Sequence, residues 1–396
     1  MESFEKKIIV IADDFTGAAE IGGIGLRNGL KVAIETKPIY NRENDIIVVA
    51  TDTRSMDKDK AVEYISRLTG ELLQHNPLFI YKKIDSVLRG NVSEELAAQL
   101  KICGKKRAII VAANPVFKRI IKNGRYFIDE IPLNQTRFSI DYQYPIQTND
   151  VLQLLTPVQD YPAVSLKPGD PLPDHGLIIA DVENLEDLHK WTLKYSEDTL
   201  FAGAFGFFNS LLQHLNYTRE IQDVQYLPFR TPALFILGSY FPKDDDIITG
   251  MIKQGHFHSN MPEELYYNKF SDPGIMENWV HEVVTKLAEK QKVIVTCDYL
   301  DSTESDISLR IKKILAHLVQ DVFKQVKVRE ILIEGGSTTS EILDKLSITK
   351  LSPVQEIDTG VIRMKVDGIP DLCLTTKPGS YPWPNSVWLN DMKLHG

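Results

Sequence analysis

The sequence predicts an α/β protein of two domains, each a mostly parallel sheet flanked by helices. Three observations carry this. Short runs rich in Val and Ile alternate with segments of helical period along both halves of the chain. Those runs are apolar throughout, as strands covered on both faces are. The 396 residues exceed what one hydrophobic core usually organises.

The first half repeats a unit of strand, polar loop and helix. KKIIVIADDFTG reads as strand and loop, with AAEIGGIGLRNG the helix behind it. DIIVVATDTRSM is a second strand and loop, followed by a helix from about Asp57 with Val62, Ile65, Leu68 and Leu72 on one face. LFIYK is a third strand, and Ser93 is read as the N-cap of the next helix, with Glu94 and Glu95 in its first turn. RAIIVAANP is a fourth strand. From Pro115 to about Pro173 Pro, Gly, Tyr and Asn break every period, consistent with a hairpin or long excursion around FIDEIPL. GLIIADVENLEDLHKW restores the pattern, its helix bearing Leu185, Leu188 and Trp191, and TLFAGAFGFFNSLLQHL leads into another helix.

Two prolines between Tyr226 and Pro232 flank a polar interval, which places the boundary between domains 1–228 and 229–396. ALFILGS opens the second domain. Asp272-Pro273 starts a helix with Met276, Trp279, Val280, Val283 and Leu287 on its apolar face. KVIVTCD is a strand, and Asp306 to Gln325 a long helix striped by Ile307, Ile311, Ile314, Leu318 and Val322. EILIEGGSTTSEILDKL is strand, glycine loop and helix, where Thr338 and Glu341 fit a capping box. DLCLTTKPGSYPW is a last strand and loop.

Composition excludes several classes. With 43% hydrophobic and 25% charged residues, the chain is an ordinary globular protein. A net charge of −9 argues against a nucleic-acid backbone, which needs a basic face, and leaves room for a local basic pocket for a small anion. No apolar run reaches the roughly 18 residues of a membrane span, and the acidic start is no secretion signal. The widely separated Cys103, Cys297 and Cys373 read as reduced thiols of a cytoplasmic protein rather than a disulfide framework or metal site. The expected partners are therefore small molecules, with no nucleic acid and no membrane, and homo-oligomerisation is left open.

Chemistry concentrates in loops at the carboxyl ends of strands, where open α/β sheets bind ligands. Lys83-Ile84-Asp85-Ser86-Val87-Leu88-Arg89 gathers a lysine, an aspartate, a hydroxyl and an arginine, with Gly90 to relax the backbone. That set can grip an anionic, hydroxylated small molecule. Asp13-Asp14-Phe15-Thr16-Gly17 offers adjacent carboxylates that can bind hydroxyls, hold a divalent ion through water or act as a general base, or can cap the next helix. Asp52-Thr53-Arg54-Ser55 is a similar polar loop. Asn114 and the basic group Lys118, Arg119, Lys122 and Arg125 either close the crevice over an anion or lie on the solvated surface. In the second half, Gly335-Gly336-Ser337-Thr338 brings backbone amides and a helix start to a phosphate, with Gly238-Ser239 and Lys377-Pro378-Gly379-Ser380 as further small-residue loops. A standard P-loop is absent. The near-fingerprint at Gly23 and Gly25 has Asn28 in the third glycine's place, which argues against a dinucleotide enzyme.

ADDFTGAAE, KKIDSVLRGN and GGSTTSEIL, in this order, resemble the four-carbon acid sugar kinase family, which phosphorylates threonate, erythronate or 3-oxo-tetronate with ATP. The resemblance covers nearly the whole chain. It implies an acid-sugar-binding first domain, a nucleotide-binding second domain, and a reaction in the cleft between them. Asp13, Asp14, Thr16 and Gly17 fall on the family's first motif, and Lys83, Asp85, Ser86, Arg89 and Gly90 on its second. Pro132, Leu133, Thr136, Phe138 and Asp141 match a further stretch. Ser239, Gly335, Gly336, Ser337, Thr338 and Gly379 fall where the family contacts ATP. The segment PVFKRIIKNGRY departs from the family pattern and leaves Arg119 and Arg125 as alternatives for its arginine.

The resemblance implies transfer from ATP to a terminal hydroxyl, with Mg²⁺ bridging the phosphates and no dedicated protein metal site. Arg54, Lys83 and Arg89 are expected on the sugar's carboxylate and hydroxyls, with Asp13 and Ser86 beside them. Asp14 or Asp85 is the general base. The alternative from another class is a non-catalytic regulator or effector that binds nucleotide or sugar acid.

Overall fold

The computed structural model describes residues 6–38, 43–141, 144–220, 228–238, 249–250, 252, 255–267, 273–297 and 307–387. The chain divides into two compact units, Met1–Gln222 and Asp223–Gly396.

The first unit is built on strands β1 (Ile8–Ala12), β2 (Val32–Glu35), β3 (Ile46–Ala50), β4 (Phe79–Lys83), β5 (Arg107–Val111), β9 (Ala163–Leu166), β10 (Gly176–Ala180) and β11 (Thr199–Gly203). They lie in the order β2-β3-β1-β4-β11-β5-β10-β9, and every pairing is parallel. The uniformly apolar runs predict this, since β1, β3, β4, β10 and β11 are buried along their whole length. Helices α1 (Phe15–Arg27), α2 (Lys58–Leu73), α3 (Val92–Cys103), α5 (Leu185–Thr192) and α6 (Phe205–His214) cover the sheet. Ile65, Leu68 and Leu72 of α2 pack on Ile9, Ile11, Val49 and Ile80. Each such side chain contributes about 1.5–3 kcal/mol by leaving water.

The excursion after β5 is a small antiparallel sheet of β6 (Arg119–Lys122), β7 (Arg125–Ile128) and β8 (Ile131–Pro132). Its first turn is Asn123-Gly124, with φ of 48° and 69° at the two residues. Asn-Gly is the pair that best tolerates this left-handed hairpin geometry. A four-residue helix, α4 (Val151–Leu154), follows.

The second unit holds β12 (Ala233–Leu237), β13 (Phe257–Asn260), β14 (Lys292–Thr296), β15 (Glu330–Glu334), β16 (Lys350–Asp358), β17 (Val361–Val366) and β18 (Cys373–Lys377). They run β13-β14-β12-β15-β18-β17-β16, parallel as far as β18. The last two join antiparallel. The helices Pro273–Lys290, Ile307–Gln325 and Gly336–Lys345 follow β13, β14 and β15.

Several local expectations need correction. β2, β9, β13, β16 and β17 are not among the expected strands, because KVAIE is short, β9 and β13 are only partly buried and lack an unbroken apolar run, and the last pair carries charged residues within its runs. Helix α3 begins after Asn91, so Ser93 is not its N-cap and lies buried inside the first turn. Leu185 is 59% exposed, whereas Leu188 and Trp191 of the same helix are buried. Thr338 and Glu341 form no capping box: the helix starts at Gly336 with Gly335 as a cap that has no side chain to offer. Asp272 lies outside the described residues.

Close approach of strands makes one glycine a test of this packing. A Cβ on Gly203 would lie 2.2 Å from the Val111 carbonyl oxygen and 2.9 Å from the Tyr81 hydroxyl, whereas one on Gly169 would meet nothing within 4 Å. Gly203→Ala is expected to destabilise the first unit by about 1–3 kcal/mol in urea unfolding, with Gly169→Ala as the near-neutral control. Equal midpoints for the two variants would contradict the packing.

Candidate active site

Parallel register sets Ala12 beside both Ala50 and Lys83, so the loops leaving β1, β3 and β4 emerge side by side. Backbone bonds tie them further: Asp13 N–H donates to Lys83 O, and Arg54 N–H to Asp13 O. Arg54 fills the space between the loops. Its Nε and Nη2 donate to Asp13 Oδ2 and Oδ1 at 2.8 and 2.9 Å, a two-pronged pairing. Nη2 also lies 3.1 Å from Asp14 Oδ1, and Nη1 3.8 Å from Asp85 Oδ1. Three predicted aspartates thus converge on one predicted arginine.

Asp14 also caps α1. Its Oδ1 accepts from Gly17 N–H at 2.9 Å and its Oδ2 from the Thr16 hydroxyl at 2.6 Å. The capping role and the site role therefore belong to the same side chain. Lys83 lies beneath it, its ammonium 3.0 Å from Glu20 Oε2 of α1. Lys82, one residue earlier, points to the opposite face of the sheet, as alternate strand residues must. It pairs with Glu95 of α3, which also accepts from the Thr53 hydroxyl at 3.0 Å.

The loop after β4 completes the site. Asp85 accepts from Arg89 Nε at 2.7 Å, Arg89 Nη2 at 2.9 Å and Arg89 N–H at 3.2 Å. Arg89 Nη1 donates to Asp141 Oδ2 at 2.7 Å. Ser86 receives a bond from Arg119 Nη1 at its hydroxyl, and its carbonyl accepts from the Tyr126 hydroxyl at 2.7 Å. The guanidinium groups of Arg89 and Arg119 both lie over the Phe138 ring, at 5.2 and 5.8 Å. This separates the two candidate arginines: Arg119 is buried at the site, whereas Arg125 is half exposed and faces Asp150 at 3.4 Å. Lys118 and Lys122 make exposed pairs with Asp129 and Glu183.

The charges hold one another ionised. Burial works to raise the Asp14 carboxyl, but Arg54, Lys83, the Thr16 hydroxyl and the Gly17 N–H outweigh it and leave it lowered. Asp85 is likewise opposed by burial, yet Arg89 and Arg54 hold it far below the usual carboxylate range. Burial opposes the charge of Lys83 too, and Glu20, Asp14 and Asp13 raise it nonetheless. Glu95 differs, because burial dominates and raises it despite Lys82.

In the second unit, Gly335 has φ 93° and no atom within 4 Å of where a Cβ would stand. Only glycine holds that backbone readily, and the open space suits a phosphate near the first amides of the helix. Lys312 reaches the same loop, donating to the Ser337 hydroxyl at 2.9 Å. Gly336 and Thr338 are buried in the first turn, and Gly379 follows β18, whose Lys377 carbonyl accepts from Gly335 N–H. Ser239 lies outside the described residues. Among the described residues no group of three or more His, Cys, Asp or Glu side chains is placed to hold a metal ion. No described helix is long and apolar enough to cross a membrane.

Residues that motif reasoning had passed over are Glu20, Glu95, Tyr126 and Tyr144, whose hydroxyl donates to Arg54 O. A signal existed for the first: Glu20 is the sole carboxylate in an otherwise glycine- and alanine-rich helix. The tyrosines carried none.

A sugar-binding N-terminal domain matches residues 8–211, and a nucleotide-binding C-terminal domain matches residues 236–381. The chain is similar to a D-threonate kinase of Salmonella typhimurium, 22% identical with 95% of each chain covered. It is 32% identical to a D-erythronate kinase of Heliobacterium modesticaldum over 37% of this chain and 35% of that protein. A solved structure from Salmonella typhimurium LT2 shares the fold, with a TM-score of 0.76 at 16% identity over 95% of this chain and 96% of the other. The fold and its paired domains define a protein built to bind a sugar and a nucleotide. The chain belongs to the four-carbon acid sugar kinase family.

The lowered carboxyls have a consequence for stability. A carboxyl that binds its proton less tightly when folded contributes full stability above its unfolded value, and loses it as pH falls below that value. Stability is therefore expected to drop steeply below about pH 4. Asp85→Asn should lower it at pH 7 by about 3 kcal/mol, by leaving Arg89 and Arg54 under-neutralised, and should flatten the acid slope. Denaturant unfolding at pH 7 and pH 3 measures both, and parallel pH profiles for the two proteins would contradict the assignment.

Proposed function

We propose that the chain is an ATP-dependent kinase that phosphorylates the terminal hydroxyl of a four-carbon acid sugar: threonate, erythronate or 3-oxo-tetronate. The observation that supports this most is the convergence of Asp13, Asp14 and Asp85 on Arg54, with Arg89 and Arg119 flanking Phe138 nearby. A small polyol carboxylate needs donors for its carboxylate and acceptors for its hydroxyls within a few ångströms. This cluster supplies both. Arg89 and Arg119, with the Ser86 hydroxyl, take the sugar's carboxylate, and Arg54 and Lys83 hold the aspartates toward its hydroxyls.

Geometry favours Asp14 over Asp85 as the base. Both oxygens of Asp85 carry N–H donors from Arg89. The Asp14 Oδ2 accepts from the Thr16 hydroxyl, and a hydroxyl can turn toward substrate. Asp14 Oδ2 accepts the proton of the substrate hydroxyl as that oxygen bonds to the γ-phosphorus, and the bond to the β-phosphate oxygen breaks with its electron pair leaving on ADP. Asp85 keeps Arg89 in place. Gly335, Gly336, Ser337 and Thr338 hold phosphate, and Ser239 and Gly379 are further ATP contacts. Mg²⁺ would supply charge neutralisation on the phosphates.

ADP release measured over a panel of four-carbon acid sugars with Mg-ATP tests the reading, with stimulation by at least one expected. A folded, ATP-binding protein that none of the panel stimulates would sink it. Asp14→Asn is expected to lower kcat by about 10²–10⁴-fold with KM for the sugar changed little. Asp85→Asn should instead raise KM, because it loosens the arginine that orients the carboxylate.

A further inference from the structure

The second unit carries two polar groups at the ends of one row of strand termini. Parallel register aligns the last residues of its strands: Asn260 pairs with Thr296, Thr296 with Leu237, and Glu334 with Lys377. Leu237 lies one residue beyond the pair of Ile236 with Ile333, level with Glu334. Paired residues of adjacent strands share a face. The apolar residues two positions below confirm that face, since Phe235, Ile294 and Leu332 pack in one cluster with Leu237 and Trp383.

The two ends of the row differ in chemistry. At one end the buried Lys377 ammonium is 3.3 Å from Glu334 Oε2 and 5.4 Å from the centre of the Trp383 ring. The Trp383 indole N–H donates to Glu334 Oε2 at 3.0 Å. Gly335 adjoins this end directly, through its N–H bond to Lys377 O. A lysine–glutamate pair out of water costs several kcal/mol, and an apolar pair would fill such space at less cost. The other end is built, among the described residues, of a carboxamide, a hydroxyl and an imidazole. The Thr296 hydroxyl donates to Asn260 Oδ1 at 2.9 Å and lies 2.7 Å from His258 Nε2. A carboxamide, carrying donor and acceptor atoms together, suits the edge of a nucleobase.

Resting on the nucleotide-binding reading, we propose that ATP lies across this rim in one orientation, its phosphates at Lys377 and its nucleoside at Asn260, Thr296 and His258. From Lys377 to Thr296 is three strand spacings, about 14 Å, the span over which an extended nucleoside triphosphate separates its last phosphate from its base. Lys377 neutralises phosphate charge. Glu334 and Trp383 are positioning residues that keep its ammonium at the rim.

Calorimetric titration of the full chain with ATP, adenosine and inorganic tripolyphosphate tests the orientation. Lys377→Met is expected to weaken ATP and tripolyphosphate about 10–100-fold and leave adenosine unchanged. Asn260→Ala should weaken ATP and adenosine about 5–10-fold and leave tripolyphosphate unchanged. Asn260 is exposed, so its variant keeps the fold and decides the matter even where Lys377→Met does not fold. Wild-type ATP binding with Asn260→Ala indistinguishable from wild type, or with the two patterns exchanged, overturns the orientation alone. A wild-type chain that binds neither ATP nor tripolyphosphate overturns it together with the nucleotide reading.

Discussion

A guanidinium taken out of water must be neutralised where it lies, and Arg54 imposes that requirement on two neighbouring loops at once. Asp13 and Asp14 leave β1 and Asp85 leaves β4, yet each has an oxygen within 3.8 Å of it. Two glycines follow from the same crowding. A Cβ on Gly90 would stand 2.9 Å from Arg54 Cγ, at a φ of 90° that already favours glycine. One on Gly17 would stand 2.7 Å from Asp14 Oδ1 and 2.9 Å from Lys83 Nζ. The glycines of the two motifs are therefore room made for the ion cluster, more than they are hinges.

Strand β4 extends the constraint to both faces of the sheet. Lys82 and Lys83 are adjacent and buried, so one must point to each side, and each finds a glutamate on the helix covering that side. The pairings tie α1 and α3 to the middle of the sheet at the level of the site. Glu95 passes the connection on to Thr53, the neighbour of Arg54. The second unit also buries charge, in Arg363 with Glu330, but at the start of β15, the opposite rim from its glycine loop. Buried pairing alone thus does not mark a site. Its place at a carboxyl rim does.

How much of this was legible in the sequence depended on whether the cause was local. Most of the parallel strands declared themselves because burial on both faces demands an unbroken apolar run, whereas the Asn123-Gly124 turn did not, although few residue pairs accept its backbone. The loops leaving β1, β3 and β4 did meet, since strand register fixes where they emerge. What single residues touch was another matter. Ser93 looks like a cap by type, but Asn91 occupies that position and Ser93 turns inward. Arg119 and Arg125 were equivalent on paper, and only the hairpin's register sends Arg119 toward Ser86 and Arg125 toward Asp150. The β16–β17 pair hid for a related reason: Arg363 reads as surface, yet it is buried against Glu330, a partner more than thirty positions away.

The lowered carboxyl of Asp14 sharpens what the proposed reaction asks of it. A carboxylate held ionised by Arg54 and Lys83 is a weak base toward an alcohol, and a mechanism needing early proton removal would be poorly served by it. Phosphoryl transfer through a loose transition state makes no such demand, because the attacking hydroxyl gathers acidity only as its bond to phosphorus forms. What the reaction needs first is an oxygen that lies in line and stays charged. Anchoring by the α1 N-terminus fixes the position of Asp14, and the neighbouring cations secure its charge. The interactions that weaken it as a base are the ones that keep it where a late proton can be received.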